Sequence, residues 1–106
     1  MKAISKAHAL TLLGKWERQN KRLSIFCFSP WIALSSNFGH VVPSPDEWID
    51  LRLEDETSLR IFIGDAKFSS VEPRDVPAES INFISKFEQG IRVALQDEQM
   101  QWYLLV

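Results

Sequence analysis

Cysteine, histidine and glycine are all scarce in this chain: one Cys, two His and four Gly among 106 residues. A lone cysteine, Cys27, excludes an internal disulfide. Two histidines, His8 and His40, with one cysteine match none of the usual metal-ligand spacings, and no metal or other cofactor is expected. Gly14, Gly39, Gly64 and Gly90 are too scattered to build a phosphate-cradling loop. Gly-x-Ser-x-Gly does not occur, and neither does an Asn-x-Ser/Thr glycosylation acceptor. The longest apolar runs, "IFCF" and "WYLLV", fall far short of the roughly 20 residues that a membrane-spanning helix needs, so no membrane partner is expected. Lys2 and Lys6 precede "AHALTLLG" as in a secretory signal, but that run is short, contains His8 and lacks a small-residue cleavage site. The cytoplasm is the expected compartment.

The residues that are present describe a globular chain. Hydrophobic residues make up 45% and charged residues 25%, which suits one folded domain over 1–106 with a modest core. Charge is unevenly placed. Residues 1–22 hold Lys2, Lys6, Lys15, Arg18, Lys21 and Arg22 against Glu17 alone, a net of +5; residues 23–106 hold six basic and thirteen acidic groups, a net of −7. The chain reads as a basic arm on an acidic body, an asymmetry that suits either an anionic partner or docking of the arm on its own body.

Residues 3–21 are expected to be helical, because Ala9, Leu12, Leu13 and Trp16 fall at i, i+3, i+4 and i+7 and form one apolar stripe. From Leu23 the period becomes two. In "LSIFCF" both alternating sets carry apolar groups, the pattern of a strand covered on both faces. Pro30 interrupts it, "PWIALSS" resumes, and Asn37 and Gly39 in "NFGH" suggest a turn before a short strand "HVV". In "PSPDEW", Ser44, Pro45 and Glu47 have the spacing of a capping box, consistent with one helical turn or a loop. A hairpin follows. Ile49, Leu51 and Leu53 alternate with polar residues, "EDETS" reverses the chain, and Leu59, Ile61 and Ile63 return, with Asp50 facing Arg60 across the strands. Residues 64–79 read as an extended polar connection, and 80–90 as a short helix ending at Gly90.

"IRVALQDEQMQWYLLV" at 91–106 repeats the frame of "IDLRLEDETSLRIFI" at 49–63. The match covers the hairpins alone, so it reflects inward β-branched and Leu residues flanking an acidic turn rather than a tandem repeat. Asp-Glu replaces the Asp-Gly of a two-residue turn, which points to loops of about four residues. The expected fold is α+β: an N-terminal amphipathic helix, 1–22, packed on a bent antiparallel sheet or small open β-barrel of five to six strands in 23–106.

Candidate chemistry is thin. Cys27 with His8 or His40 would make a nucleophile and base, yet Cys27 lies between Phe26 and Phe28 and reads as a core residue. Clustered acids such as "EDET" read as solvated turns. No catalytic residue is therefore assigned, and the function expected is a non-catalytic interaction module that self-associates. Trp102, Tyr103, Leu104, Leu105 and Val106 are five consecutive apolar positions, an expected edge strand in need of cover on both faces. This places a homo-oligomer interface at Tyr103 and Leu105. The alternative is a nucleic-acid-binding small barrel using Lys15, Arg18, Lys21 and Arg22, where "KWERQNKR" sets Trp16 among positive charges. Against it stand the place of Trp16 in the apolar stripe and a sequence pI of about 5.6.

Overall fold

A computed structural model of the chain describes residues 1–29, 37–75 and 86–106. It contains one α-helix, α1 (Lys6–Arg18), and an antiparallel sheet of eight strands: β1 (Lys2–Ile4), β2 (Leu23–Phe28), β3 (Asn37–Val42), β4 (Trp48–Leu53), β5 (Ser58–Phe62), β6 (Lys67–Val71), β7 (Gly90–Leu95) and β8 (Met100–Leu105). Their order across the sheet is β1-β6-β7-β8-β2-β3-β4-β5. The α+β class holds, but the sheet is open with eight strands, not five to six.

The helix is set by its ends as well as its stripe. Ser5 caps it by accepting from the His8 N–H at 3.0 Å. At the other end Asn20 takes a left-handed φ of 50°. The Asn20 N–H donates to the Glu17 carbonyl at 3.0 Å and the Lys21 N–H to that of Trp16 at 2.9 Å, a Schellman closure that satisfies two orphan carbonyls. Lys15 and Arg18 in the last turn face the negative end of the helix dipole. Ala9, Leu13 and Trp16 are buried, and Leu12 packs partly against the same cluster.

That cluster fills the concave face of the sheet, joining the helix to Leu23, Ile25, Val41, Ile49, Leu51, Ile61, Phe68, Ile91, Val93 and Leu104. The helix touches β3 and also β6, which lie on opposite sides of the sheet's centre, so the sheet curls around it. Strand β2 is buried at five of its six positions, as its two apolar faces require.

Several local expectations change. The "NFGH" segment is strand, not turn: Phe38 pairs with Ser24 and Gly39 with both Leu23 and Leu53. Gly39 is needed there because a Cβ would lie 2.5 Å from the Arg52 carbonyl oxygen. At "PSPDEW" the loop alternative holds and Ser44 begins no helix; its hydroxyl donates to the Val42 carbonyl at 3.0 Å and accepts the Asp50 N–H at 2.7 Å, closing the β3–β4 connection. The polar connection at 64–79 contains β6, which pairs with both β1 and β7. The expected strand at 31–36 lies outside the described residues, as does most of the helix expected at 80–90. The described remainder of the latter, residues 86–89, is not helical and leads directly into β7 at Gly90.

Both hairpins form as expected, with four-residue loops at 54–57 and 96–99. The largest correction concerns β8. It is not an edge strand: it lies between β7 and β2, paired with both along most of its length. Its backbone is paired on both sides, and of its apolar run Leu104 is buried in the helix-side cluster and Leu105 against Phe26 and Val71, while Trp102 and Tyr103 are half-buried.

Two substitutions probe this packing. Trp16→Ala is expected to lower unfolding stability by about 3–5 kcal/mol, the usual range for truncating a core aromatic, read from urea denaturation. Gly39→Ala is expected to cost about 1–3 kcal/mol in the same measurement, since the clash is with backbone that cannot rotate away.

Candidate functional site

The convex face of the sheet carries its exposed aromatic rings. Register places Phe26 opposite Tyr103 and Phe28 opposite Gln101 on the face away from the helix. The Phe26 and Tyr103 rings stack with centroids 4.8 Å apart and planes 6° from parallel, and Phe28 meets both edge-on at 5.2 and 5.7 Å. The Tyr103 hydroxyl donates to Gln101 Oε1 at 3.2 Å. Phe26 is buried, Tyr103 half-buried and Phe28 40% exposed. Leu105, expected at an interface with Tyr103, is instead 1% exposed and packed with Phe26 and Val71, its side chain lying over Gly90. It has no surface to offer another chain.

A second aromatic pair, Trp48 and Phe62, lies on the same face at the β4–β5 side, with centroids 5.1 Å apart and Phe62 48% exposed. Ion pairs accompany this second patch on β4 and β5 and the nearby end of β3. Arg60 grips Asp50 through two hydrogen bonds of 2.8 and 3.0 Å, the cross-strand pair expected from the hairpin register. Arg22 makes a two-pronged bond to Glu54 and lies 3.8 Å above the Phe38 ring.

Those pairs engage one of the four residues of the basic patch read from the sequence. Arg22 is committed to Glu54, and Lys6 bonds Glu47 at 2.9 Å. Lys15, Arg18 and Lys21 remain exposed at the end of α1, on the helix side of the sheet and away from the exposed rings. Phe28 was missed because its run is apolar on both faces, where alternation cannot say which ring is left uncovered, whereas Trp48 and Phe62 share the outward set of Asp50 and Arg60, so the hairpin alternation carried the signal for them.

Cys27 and His40 do not converge. Cys27 is opposite Trp102 on the concave face, and His40 is opposite Arg52 on the convex one, its Nδ1 3.0 Å from the Lys21 carbonyl oxygen. Burial pushes the Cys27 thiol above its ordinary range, away from the thiolate a nucleophile requires. Among the described residues two buried polar atoms, Ser24 Oγ and Arg92 Nε, find no partner, and both residues belong to the convex face beside the ring cluster. Arg92 reaches Glu98 through Nη2 at 3.3 Å.

Depressions break the surface among the described residues. One of about 330 Å³ runs between α1 and the β3–β4 connection, among Lys6, Leu10, Gly14, Pro45 and Glu47. Another, of about 570 Å³, lies between β5 and the β7–β8 hairpin, among Arg60, Ile61, Phe62, Leu95, Met100 and Trp102. Among the described residues no three His, Cys, Asp or Glu side chains come together as a metal site. No family model matches the chain, and no curated protein or solved structure is significantly similar to it.

The shifted carboxylates belong to ion pairs and turns. Hydrogen bonding from Arg22 holds Glu54 below the usual carboxylate range, the Thr57 hydrogen bonds do so for Asp55, and the Glu72 N–H together with the N-terminal ammonium does so for Asp75. Each group binds its proton less tightly folded than unfolded. The stability it contributes is complete above the unfolded value near 4 and is lost as pH falls through the lower folded value. Denaturant midpoints are therefore expected to drop from about pH 6 to about pH 2, and Asp75→Asn, which removes one such group, is expected to flatten that slope.

Proposed function

We propose that this chain is a non-catalytic interaction module that self-associates through the convex face of its central strands, with Tyr103 and Phe28 at the contact. The observation that carries the reading is the Phe26–Phe28–Tyr103 cluster: three mutually packed rings in the middle of a sheet, with Phe28 left 40% exposed. Packed rings are already ordered and lose little conformational freedom on docking, and aromatic residues are enriched in interface cores. Antiparallel strands offer such a patch to a symmetry mate in two-fold fashion, the commonest closed arrangement. The interface expected from the sequence keeps Tyr103 and exchanges Leu105 for Phe28.

A second reading, nucleic-acid binding, retains Lys15, Arg18 and Lys21, which are exposed and form no ion pair among the described residues. Among the described residues the exposed rings on which bases could stack, Phe28 and Phe62, lie on the face of the sheet away from those cations.

Light scattering on the parent chain at tens of micromolar is the test. A dimer is expected, weakened at least about tenfold by Phe28→Lys with Tyr103→Lys while circular dichroism stays parental. A strictly monomeric parent refutes self-association; a dimer indifferent to both substitutions removes the interface from this face.

A further inference from the structure

Beyond self-association, we propose that the free edge of β5 is a docking site for an extended peptide of alternating apolar and basic residues, which adds to the sheet as a further strand within the cleft facing the β7–β8 hairpin. The backbone supplies the first part of the site. The Leu53 N–H donates to the Thr57 carbonyl at 2.8 Å and the Ile63 N–H to that of Glu47 at 2.8 Å, so the odd-numbered residues of this ladder turn their amides toward β4. The even-numbered residues Ser58, Arg60 and Phe62 direct their N–H and C=O groups the other way, where the sheet has no further strand among the described residues. A row of unpaired groups at strand spacing is the template that strand addition uses.

Among the described residues the edge also lacks the usual protection. The opposite edge, β1, is three residues long, includes Lys2, and is preceded by an N-terminal ammonium held 3.1 Å from Asp75. Strand β5 runs for five residues with no lysine or proline, and its one cation, Arg60, is matched by Asp50.

The cleft beside this edge decides the occupant. Its far wall is apolar, made by Leu95, Met100 and Trp102, which suits one set of alternating side chains on an added strand. Asp65 and Asp97 also line it, both exposed and neither in an ion pair among the described residues. With Arg60 already neutralised, the unmatched charge of the cleft is negative and calls for a basic ligand. Asp97 is fixed there by a turn in which Gln96, Asp97 and Glu98 all take left-handed φ values of 52°, 55° and 69°. Because the β7–β8 hairpin walls the cleft opposite β5, a single extended segment fits it better than the sheet edge of a second folded copy.

A fluorescein-labelled, end-blocked Val-Lys-Val-Lys-Val peptide, titrated by anisotropy against the parent chain, tests this. Binding is expected, with Val-Glu-Val-Glu-Val at least about tenfold weaker, and with Asp65→Lys plus Asp97→Lys in the protein weakening the lysine peptide as much. N-methylating alternate amides of the peptide keeps the test independent of variant folding: one alternate set, the one facing β5, is expected to abolish binding while the other is tolerated. Phe28→Lys is expected to leave peptide binding unchanged, so failure here is separable from failure of self-association. No binding of the lysine peptide, equal binding of both methylated forms, or loss with Phe28→Lys overturns the proposal.

Discussion

The pairing of β2 with β8 joins Ser24 to Leu105 and Phe28 to Gln101, two segments far apart in sequence that meet at the centre of the sheet. Both faces of this pair are apolar, so both need cover. On the concave side Ile25 and Leu104 meet the cluster that contains Trp16; on the convex side Phe26, Tyr103 and Leu105 meet one another, Val71 and Phe87. Without that pairing the sheet would separate into a β2–β5 half and a β1-β6-β7-β8 half, each exposing an apolar central edge. The helix is what holds the two halves in one curl, because it touches β3 in the first and β6 in the second.

The uneven charge of the sequence is partly resolved inside the chain. Lys6 meets Glu47, Arg22 meets Glu54, and the N-terminal ammonium meets Asp75, each an arm-to-body contact. Exposed pairs of this kind, screened by solvent, contribute little apiece to stability. Their value is in register: they fix which part of the body each end of the helix lies over, while the buried stripe of Ala9, Leu13 and Trp16 supplies the attraction.

The elements that local pattern could show were those whose neighbours are local. The stripe at Ala9, Leu12, Leu13 and Trp16, the β4–β5 hairpin with its Asp50–Arg60 pair, and the four-residue turns all follow from residues near one another in sequence. Strands β1 and β6 were not legible. "KAI" is too short to show a period, and "KFSSV" pairs two serines with the outer strand, so neither has an apolar alternation of its own. The position of β8 was hidden for a different reason. Five apolar residues in a row require cover on both faces whether a strand is central or joins a second chain, and only the non-local strand order distinguishes the two. The convex-face site was half legible for the same reason: Tyr103 stood out, but which neighbour stays exposed depends on how Phe28, Leu105 and Gly90 stack across three strands.

The central place of β8 also sets a timetable. Strand β2 ends at Phe28 and its partner begins only at Met100, 72 positions later. At synthesis rates of about 5–20 residues per second, a growing chain holds the β8-facing edge of β2 open for roughly 4–14 s, far longer than a hairpin such as β4–β5 needs to close. During that interval Ile25, Phe26 and Cys27 flank unpaired backbone, and the nascent protein is at its most adhesive while it is still attached to the ribosome. The same apolar strand that makes the finished sheet cohesive is thus the point at which its biogenesis is most exposed to competing strands.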